Sequence, residues 1–125
     1  YGKKIANKLG TKLFIITFGE KDIDKIQSYG GDEIFNISNI NLEEAPSITI
    51  AKASAELIKK HEINTIIISH TNMGRSISPL LATILNSGLI TNAIEHPASY
   101  EPLIVKCKAF QVRLMLNMNL AIHKI

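Results

Sequence analysis

Cysteine is nearly absent from this chain of 125 residues, which contains only Cys107. A lone cysteine cannot form an internal disulfide, and such sparse use favours a reducing compartment, so we expect a cytoplasmic protein. Cys107 lies in a strand-like stretch, where we expect a small packing residue rather than a nucleophile. The longest apolar runs, residues 13–18 and 65–68, have strand length. Because a membrane-spanning helix needs roughly 20 apolar residues, we expect no membrane segment.

Motifs of common enzymes and metal sites are missing as well. There is no Gly-Lys-Ser or Gly-Lys-Thr, no G-x-G-x-x-G and no G-x-S-x-G, which argues against P-loop, dinucleotide-binding and hydrolase sites of the usual kinds. The four histidines show no metal-ligand spacing to one another or to the cysteine. We therefore expect no metal site and no catalytic residues. The histidines are His61, His70, His96 and His123.

Acidic residues are missing from Pro102 onward, where Lys106, Lys108, Arg113 and Lys124 occur. The net charge of +3 is too small to predict a nucleic-acid partner. A basic face that meets an acidic partner or a phosphate is one interpretation of this tail. Solubilising charges on an apolar sheet edge are the other interpretation, and the favoured one, since edge strands commonly carry lysine.

Apolar patterns alternate between strand-like and helix-like stretches. Strands are predicted over residues 13–18, 33–37, 65–69 and 89–95, and helices over residues 1–9, 21–29, 46–61 and 75–87. This alternation predicts right-handed βαβ crossovers and one α/β domain over residues 1–125, with a mostly parallel central sheet between two helical layers. The chain opens inside a helix, so we also expect a missing first strand, whose absence would leave an unpaired gap in the sheet.

The helical stretches predict their own buried faces and ends. In the second helix Ile23 and Ile26, and less clearly Tyr29, are expected to point inward, and Gly88 is expected to end the fourth helix. For the two longer helices the inward residues are predicted to be Ile48, Ala51, Ala55 and Ile58, and then Ile77, Leu80, Leu81, Ile84 and Leu85.

The end of the chain changes character after Gly88. Residues 103–110 and 112–122 are predicted strands without a helix-length spacer, so we expect them to pair antiparallel and to extend the sheet at its C-terminal end. This tail is apolar and has few charges, so a large exposed apolar face and a homodimer are further expectations.

The polar chemistry concentrates in residues 69–76, between a buried strand and an amphipathic helix. Such a loop lies beyond the carboxyl end of a strand, where ligands bind in α/β sheets. The loop offers the components of a phosphate or nucleotide cradle, namely the free N–H groups of the first helical turn, a tight turn at Gly74 and the guanidinium of Arg75. Thr71, Asn72 and Ser76 add polar groups to this cradle. In the competing interpretation Asn72 or Ser76 only caps the helix, and Arg75 pairs with an acid on a neighbouring chain or domain.

Residues 32–95 resemble the N-terminal domain of electron transfer flavoprotein alpha subunits. The resemblance lies in a short Ser/Thr-rich loop, a Gly-Arg pair, a helix with a small-apolar-Pro start, a Leu-Ala stretch and a Gly-Leu before the next strand. The matching residues are Thr71, Gly74, Arg75, Ser76, Pro79, Ala82, Gly88, Leu89, Thr91 and Asn92.

The resemblance implies a Rossmann-like fold of the adenine nucleotide alpha hydrolase and universal-stress type. It also implies an electron carrier component rather than an enzyme, a beta subunit as partner, and FAD as the cofactor of the family. Because FAD is held chiefly by a C-terminal domain in that family, and this chain shows no counterpart of it, we do not expect tight FAD binding here. At the place of the family's Tyr-Ala-Gly-Asn turn, the chain has the stretch CKAFQ after Lys106.

The alternative function is a stand-alone adenine-nucleotide-binding domain of the universal-stress type, which would use residues 71–76 on ATP or AMP. The glycine-rich loop of those proteins is not present in the chain, so the carrier interpretation is favoured. An assembly domain with an empty pocket is a third interpretation.

Overall fold

The computed structural model describes residues 1–108 and the backbone of residues 120–124. The chain divides into two compact units, Tyr1–Ala45 and Pro46–Ile125, and we describe each unit by itself. Across the described part of the chain, no helix combines the length and the apolar character that a bilayer crossing requires.

The first unit is a small parallel pair of strands with two helices. Helix α1 (Gly2–Leu9) leads into strand β1 (Phe14–Phe18), and helix α2 (Ile23–Ser28) leads into strand β2 (Glu33–Ile37). Gly10 ends α1 with φ of 64°, a left-handed conformation that a residue without Cβ adopts without strain. The two strands pair in parallel from Phe14 opposite Glu33 to Phe18 opposite Ile37.

Asp32 joins three segments of this unit just ahead of β2. Both of its carboxylate oxygens accept hydrogen bonds from Lys3 Nζ at 2.9 Å, and Oδ2 also accepts the backbone N–H of Leu13 at 2.7 Å. The Leu13 N–H bond and the lysine beside it hold the pKa of Asp32 below its usual value. Asp32 thus links Lys3 of α1 to the residue that precedes β1.

The second unit contains the longer helices and a three-stranded parallel sheet. Helix α3 (Ser47–Lys60), strand β3 (Thr65–Ser69), helix α4 (Asn72–Leu85) and strand β4 (Gly88–Ala93) follow one another. Three short strands complete it: β5 (Ser99–Tyr100), β6 (Leu103–Ile104) and β7 (Leu120–Lys124). In the sheet β7 lies between β3 and β4 and is parallel to both.

Small residues allow α3 and α4 to pack closely. The buried positions of both helices recur at helical spacing, and serine and alanine alternate with larger apolar side chains. On α3 they are Ile50, Ala51, Ser54, Ala55 and Ile58, and on α4 they are Gly74, Ile77, Ser78, Leu81 and Ala82. This apolar seam is the core that the described part of the second unit shows.

The tail is only partly antiparallel. Strand β5 pairs antiparallel with β6, and Ala93 forms an antiparallel bridge with Cys107, so the predicted antiparallel extension exists next to β4. Residues 120–122, the described end of the predicted strand 112–122, differ from the prediction, since they belong to β7, which lies parallel between β3 and β4. Residues 109–119, which include Arg113 and most of the predicted strand 112–122, lie outside the described residues.

Several predicted helix faces and ends also differ from the structure. In α2 the predicted Ile23 and Ile26 are the half-buried residues, whereas Tyr29 does not point inward and is 69% exposed. Ile48 was placed on the wrong face of α3, since it is 40% exposed while Ile50 is buried. Helix α4 begins at Asn72 rather than Arg75, and Asn86 ends it in a left-handed conformation, whereas Gly88 already belongs to β4.

The predicted fold class is confirmed at the level of an α/β protein with a small parallel sheet. The three-layer arrangement with one mostly parallel central sheet stays a prediction, because the described strands form three separate sheets. The single-domain organisation stays a prediction as well.

Asp32→Asn should lower the free energy of unfolding near pH 7, and this difference between variant and parent should disappear in acid. The folded-state pKa is depressed, so the carboxylate stabilises the protein fully above its unfolded pKa of about 3.9, and this contribution disappears as pH falls through the folded value. Urea unfolding of variant and parent at neutral pH and near pH 2 would measure the difference. Glu33→Gln is the matched control, since Glu33 forms an exposed ion pair with Lys12 and should change stability little. An Asp32→Asn penalty that persists unchanged at low pH would contradict the explanation.

Candidate functional site

The polar loop lies at the carboxyl end of β3, as the sequence predicts. Strand β3 ends at Ser69 and α4 begins at Asn72, so only two residues connect them. Thr71 is the N-cap of α4, and its Oγ1 accepts the backbone N–H of Gly74 at 3.1 Å. The capping residue is therefore Thr71, and the expectation that Asn72 or Ser76 caps this helix was wrong.

Gly74 is required for a different reason from the predicted tight turn. It lies within the first turn of α4, and a Cβ atom built there would stand 2.0 Å from the carbonyl oxygen of Ser69. Real Cβ atoms essentially never approach so closely, so only glycine lets the helix begin directly against the end of β3. Gly74 thereby sets the position of the whole first turn.

The remaining predicted site residues form contacts within that turn. Asn72 Oδ1 accepts a short hydrogen bond from the guanidinium of Arg75, and Ser76 Oγ donates to the carbonyl of Asn72 at 3.1 Å. All three residues are exposed. The structure therefore brings the predicted residues together on one helical turn, with Arg75 held along the helix by its neighbour.

These contacts limit what the turn can bind. The hydroxyl of Thr71 takes the Gly74 N–H, so the N–H groups of Asn72 and Met73 are the donors left to an anion among the described residues. The turn could contact one anionic group, and among the described residues Asn72, Arg75 and Ser76 are exposed rather than part of an enclosure. The residues do not fit a complete FAD site, and anion binding at this turn stays a prediction.

A second polar cluster, which sequence reasoning missed, lies at the carboxyl end of β1 in the first unit. Asn36 Oδ1 accepts hydrogen bonds from the Thr17 hydroxyl at 3.2 Å and the Glu20 N–H at 3.1 Å, and its Nδ2 donates to the Glu20 carbonyl at 2.8 Å. The backbone N–H groups of Asp22 and Lys21 bind the Glu20 carboxylate and lower its pKa. The sequence signal for this cluster was Gly19 with the acids Glu20 and Asp22, which follow the apolar strand β1.

Among the side chains that the structure describes, Cys107, His61, His70 and His96 do not form a metal-binding group. Partial burial raises the pKa of the Cys107 thiol, which disfavours the nucleophilic thiolate. Within residues 1–108, no three histidine, cysteine, aspartate or glutamate residues gather in a way that could hold a metal ion.

A cavity of about 430 Å³ lies at the other end of the second unit, away from the polar loop. It is formed where α3 and α4 end and β3 begins. Its lining residues are Ile58, Lys59, Glu62, Ile63, Asn64, Ile66, Leu85 and Ser87. None of the predicted site residues contributes to it.

Gly74→Ala should destabilise the protein although alanine favours helices. The new Cβ would collide with the Ser69 carbonyl, and overpacking of this kind costs about 1–3 kcal/mol. Chemical denaturation measures the loss. Ser76→Ala on the same turn is the matched control, and it should change stability by less than about 0.5 kcal/mol because Ser76 is exposed. Equal stability of Gly74→Ala and the parent would refute the close approach.

Thr71→Ala should lower the stability of the chain by about 0.5–2 kcal/mol, because it leaves the Gly74 N–H without its side-chain acceptor. Thr71→Ser keeps the hydroxyl and should remain close to the parent. Thermal unfolding of the two variants side by side measures the difference. If serine and alanine behave alike, the hydroxyl does not cap the helix.

Comparison with known proteins gives a family for this fold and loop. The model of the electron transfer flavoprotein domain matches residues 1–119, which include the first unit, most of the second unit and the complete polar loop. This match spans the stretch in which the Thr71 and Gly74 contacts were found.

Individual relatives agree with the family match. A protein named FixB from Clostridium saccharobutylicum is 25% identical over 127 residues, which cover 98% of this chain and 38% of the relative. An acryloyl-CoA reductase electron transfer subunit beta from Anaerotignum propionicum is 29% identical over 70% of this chain and 25% of its own length. An electron transfer flavoprotein subunit alpha from Clostridium acetobutylicum is 30% identical over 70% of this chain and 27% of its own length. The chain thus spans 25% to 38% of these curated relatives.

Proposed function

Because this chain belongs to the electron transfer flavoprotein domain family, we propose that it is the part of an alpha-type subunit that docks a beta subunit in a flavin-based electron carrier. The single observation that carries the proposal is the family match over residues 1–119, which the alpha-subunit relative from Clostridium acetobutylicum supports at 30% identity. In this role the domain is a structural component of a carrier and has no catalytic residues of its own.

The chemistry of the polar loop suits docking better than nucleotide capture. Asn72, Arg75 and Ser76 present an amide, a guanidinium and a hydroxyl on one exposed turn. Arginine is enriched among the residues that contribute most to protein interfaces. Within the turn the Gly74 N–H already donates to Thr71 and one guanidinium N–H of Arg75 donates to Asn72, which leaves fewer donors for the phosphates of AMP or ATP.

The expectation of FAD rests on the family match and not on a binding site formed by the described residues. When bound, the flavin supplies the electron-accepting group of the carrier, and we propose that other parts of the whole protein hold it. The Asn72 and Met73 N–H groups could at most contact one phosphate of a cofactor bound mainly elsewhere. The lone cysteine supports a reducing compartment, so we place the protein in the cytoplasm.

Mixing the chain with an electron transfer flavoprotein beta subunit tests the docking role. We expect a complex on size-exclusion chromatography with light scattering, and no flavin absorbance from the chain alone. Arg75→Ala should weaken the complex about fivefold or more, because interface arginines commonly contribute over 1 kcal/mol. Lys59→Ala, at the opposite end of the second unit, is the charge-matched control and should bind like the parent.

The same preparations separate the alternatives. Calorimetric titration with AMP and ATP should give no heat, whereas heat that disappears in Arg75→Ala would favour the nucleotide-binding domain instead. Light scattering of the chain alone tests the homodimer. A chain that is folded but forms no complex with the beta subunit would contradict the docking role.

A further inference from the structure

We propose that the cavity where α3 and α4 end is a binding site for a small aliphatic amino acid in its zwitterionic form. The inference rests on residues of the second unit alone. It does not depend on the role proposed for the α4 turn, which lies beyond the other end of β3.

The cavity has the size and the lining of a small-molecule site. Its volume of about 430 Å³ falls within the roughly 300–1,000 Å³ of ordinary ligand pockets. The lining includes no aromatic residue, so it suits a branched aliphatic group and offers no stacking partner to a planar ring. Its apolar part is formed by Ile58, Ile63, Ile66 and Leu85, of which Ile58 is only 4% exposed.

Two opposite charges at the exposed rim of the cavity have no partner within the described part of the chain. Lys59 and Glu62 are three residues apart, yet neither side chain forms an ion pair or a hydrogen bond with a described residue. A ligand that carries a carboxylate and an ammonium group would neutralise both charges at once. Hydrogen bonds between ionised groups are also stronger than those between neutral ones.

Glu62 occupies a backbone position that this chain otherwise gives to glycine or asparagine. Helix α3 ends in a Schellman turn, in which the Ile63 N–H donates to the Ile58 carbonyl at 3.0 Å, and Glu62 has a φ of 51°. Every other left-handed position of the described residues is a glycine or an asparagine, such as Gly10 after α1 and Asn86 after α4. Backbone strain of this kind concentrates at ligand-binding sites, and the carboxylate at the cavity gives a reason for it.

The end of α4 also favours a positive group beside the cavity. The last carbonyl groups of a helix carry the negative end of its dipole. Helix α3 has Lys59 and Lys60 in its last turn, whereas the last turn of α4 contains no basic residue. The ligand ammonium would therefore compensate the end of α4 together with Glu62. Its carboxylate would pair with Lys59, and its side chain would cover the aliphatic lining.

A titration of the full chain with L-leucine, followed by NMR, tests the inference. We expect a Kd of about 1 mM or below, with shift changes at the methyl groups of Ile58 and Ile66 and at the Ser87 amide. Two analogues each lack one charge, since isocaproate has no ammonium group and isoamylamine has no carboxylate. Each analogue should bind at least about tenfold more weakly than leucine, because one bond between ionised groups is lost.

Substitutions assign each charge to its partner. Lys59→Met should weaken leucine binding about tenfold and leave isoamylamine binding unchanged, whereas Glu62→Gln should weaken leucine binding about tenfold and leave isocaproate binding unchanged. Lys52→Met and Glu56→Gln change exposed residues of α3 that do not line the cavity, so these controls should bind like the parent. Glu62→Gly removes both the carboxylate and the strain. It should weaken leucine binding and raise the midpoint of urea unfolding.

Three results would overturn the inference. Cavity resonances that do not shift with leucine at about ten times the expected Kd would exclude an amino acid site. An analogue that binds as tightly as leucine would show that only one charge is recognised. Equal loss of all three ligands in Lys59→Met and in Glu62→Gln would mean that the substitutions disturb the cavity and remove no specific contact.

Discussion

The backbone of Gly74 and the carbonyl oxygen of Ser69 approach each other so closely that no side chain fits between them. This contact lets α4 begin two residues after β3 ends, with Thr71 as its cap. A helix that starts at this point carries Ile77, Ser78 and Leu81 toward the buried seam with α3. The start of α4 against the end of β3 thus depends on one position at which only glycine is accepted.

The same contact explains the character of the polar turn. Because α4 starts so close to the strand, its first N–H groups and its side chains are crowded into one exposed surface. Thr71 and Asn72 then satisfy Gly74 and Arg75 locally, which leaves little for a small anion to bind. A turn that satisfies itself and stays exposed suits contact with another protein surface better than enclosure of a cofactor.

The sequence patterns predicted helices α1 to α4 and strands β1 to β4. In these segments the apolar periodicity and the glycine and proline residues at the ends indicate the same elements. Gly10 and Pro46 mark their helix ends in the structure as they do in the sequence. The errors came where long-range packing decides. Ser54 is buried and Ile48 is exposed because α3 approaches α4 closely, and a close approach favours small residues at the contact. A hydropathy pattern does not contain the distance between two helices. The parallel course of β7 likewise depends on two strands that are distant in sequence.

The predicted site shows the same division between local and distant information. Residues 71–76 were found because a polar loop between a buried strand and an amphipathic helix is a local pattern. The roles within the loop were partly wrong, since the pattern does not show that Gly74 meets Ser69 or that Arg75 lies against Asn72. The cluster around Asn36 escaped because its partners Thr17 and Glu20 are 19 and 16 residues away in sequence.

The two units differ in how completely their strands are paired with neighbouring strands among the described residues. In the second unit β7 fills the space between β3 and β4, so each of these strands has a parallel neighbour, and the α3–α4 seam is buried. In the first unit Asp32 and Asn36 tie both ends of the β1–β2 pair, yet one side of an entirely uncharged strand has no neighbour among the described residues. Hydrogen bonds at the ends of a pair fix its register but cannot replace the missing ladder along its length.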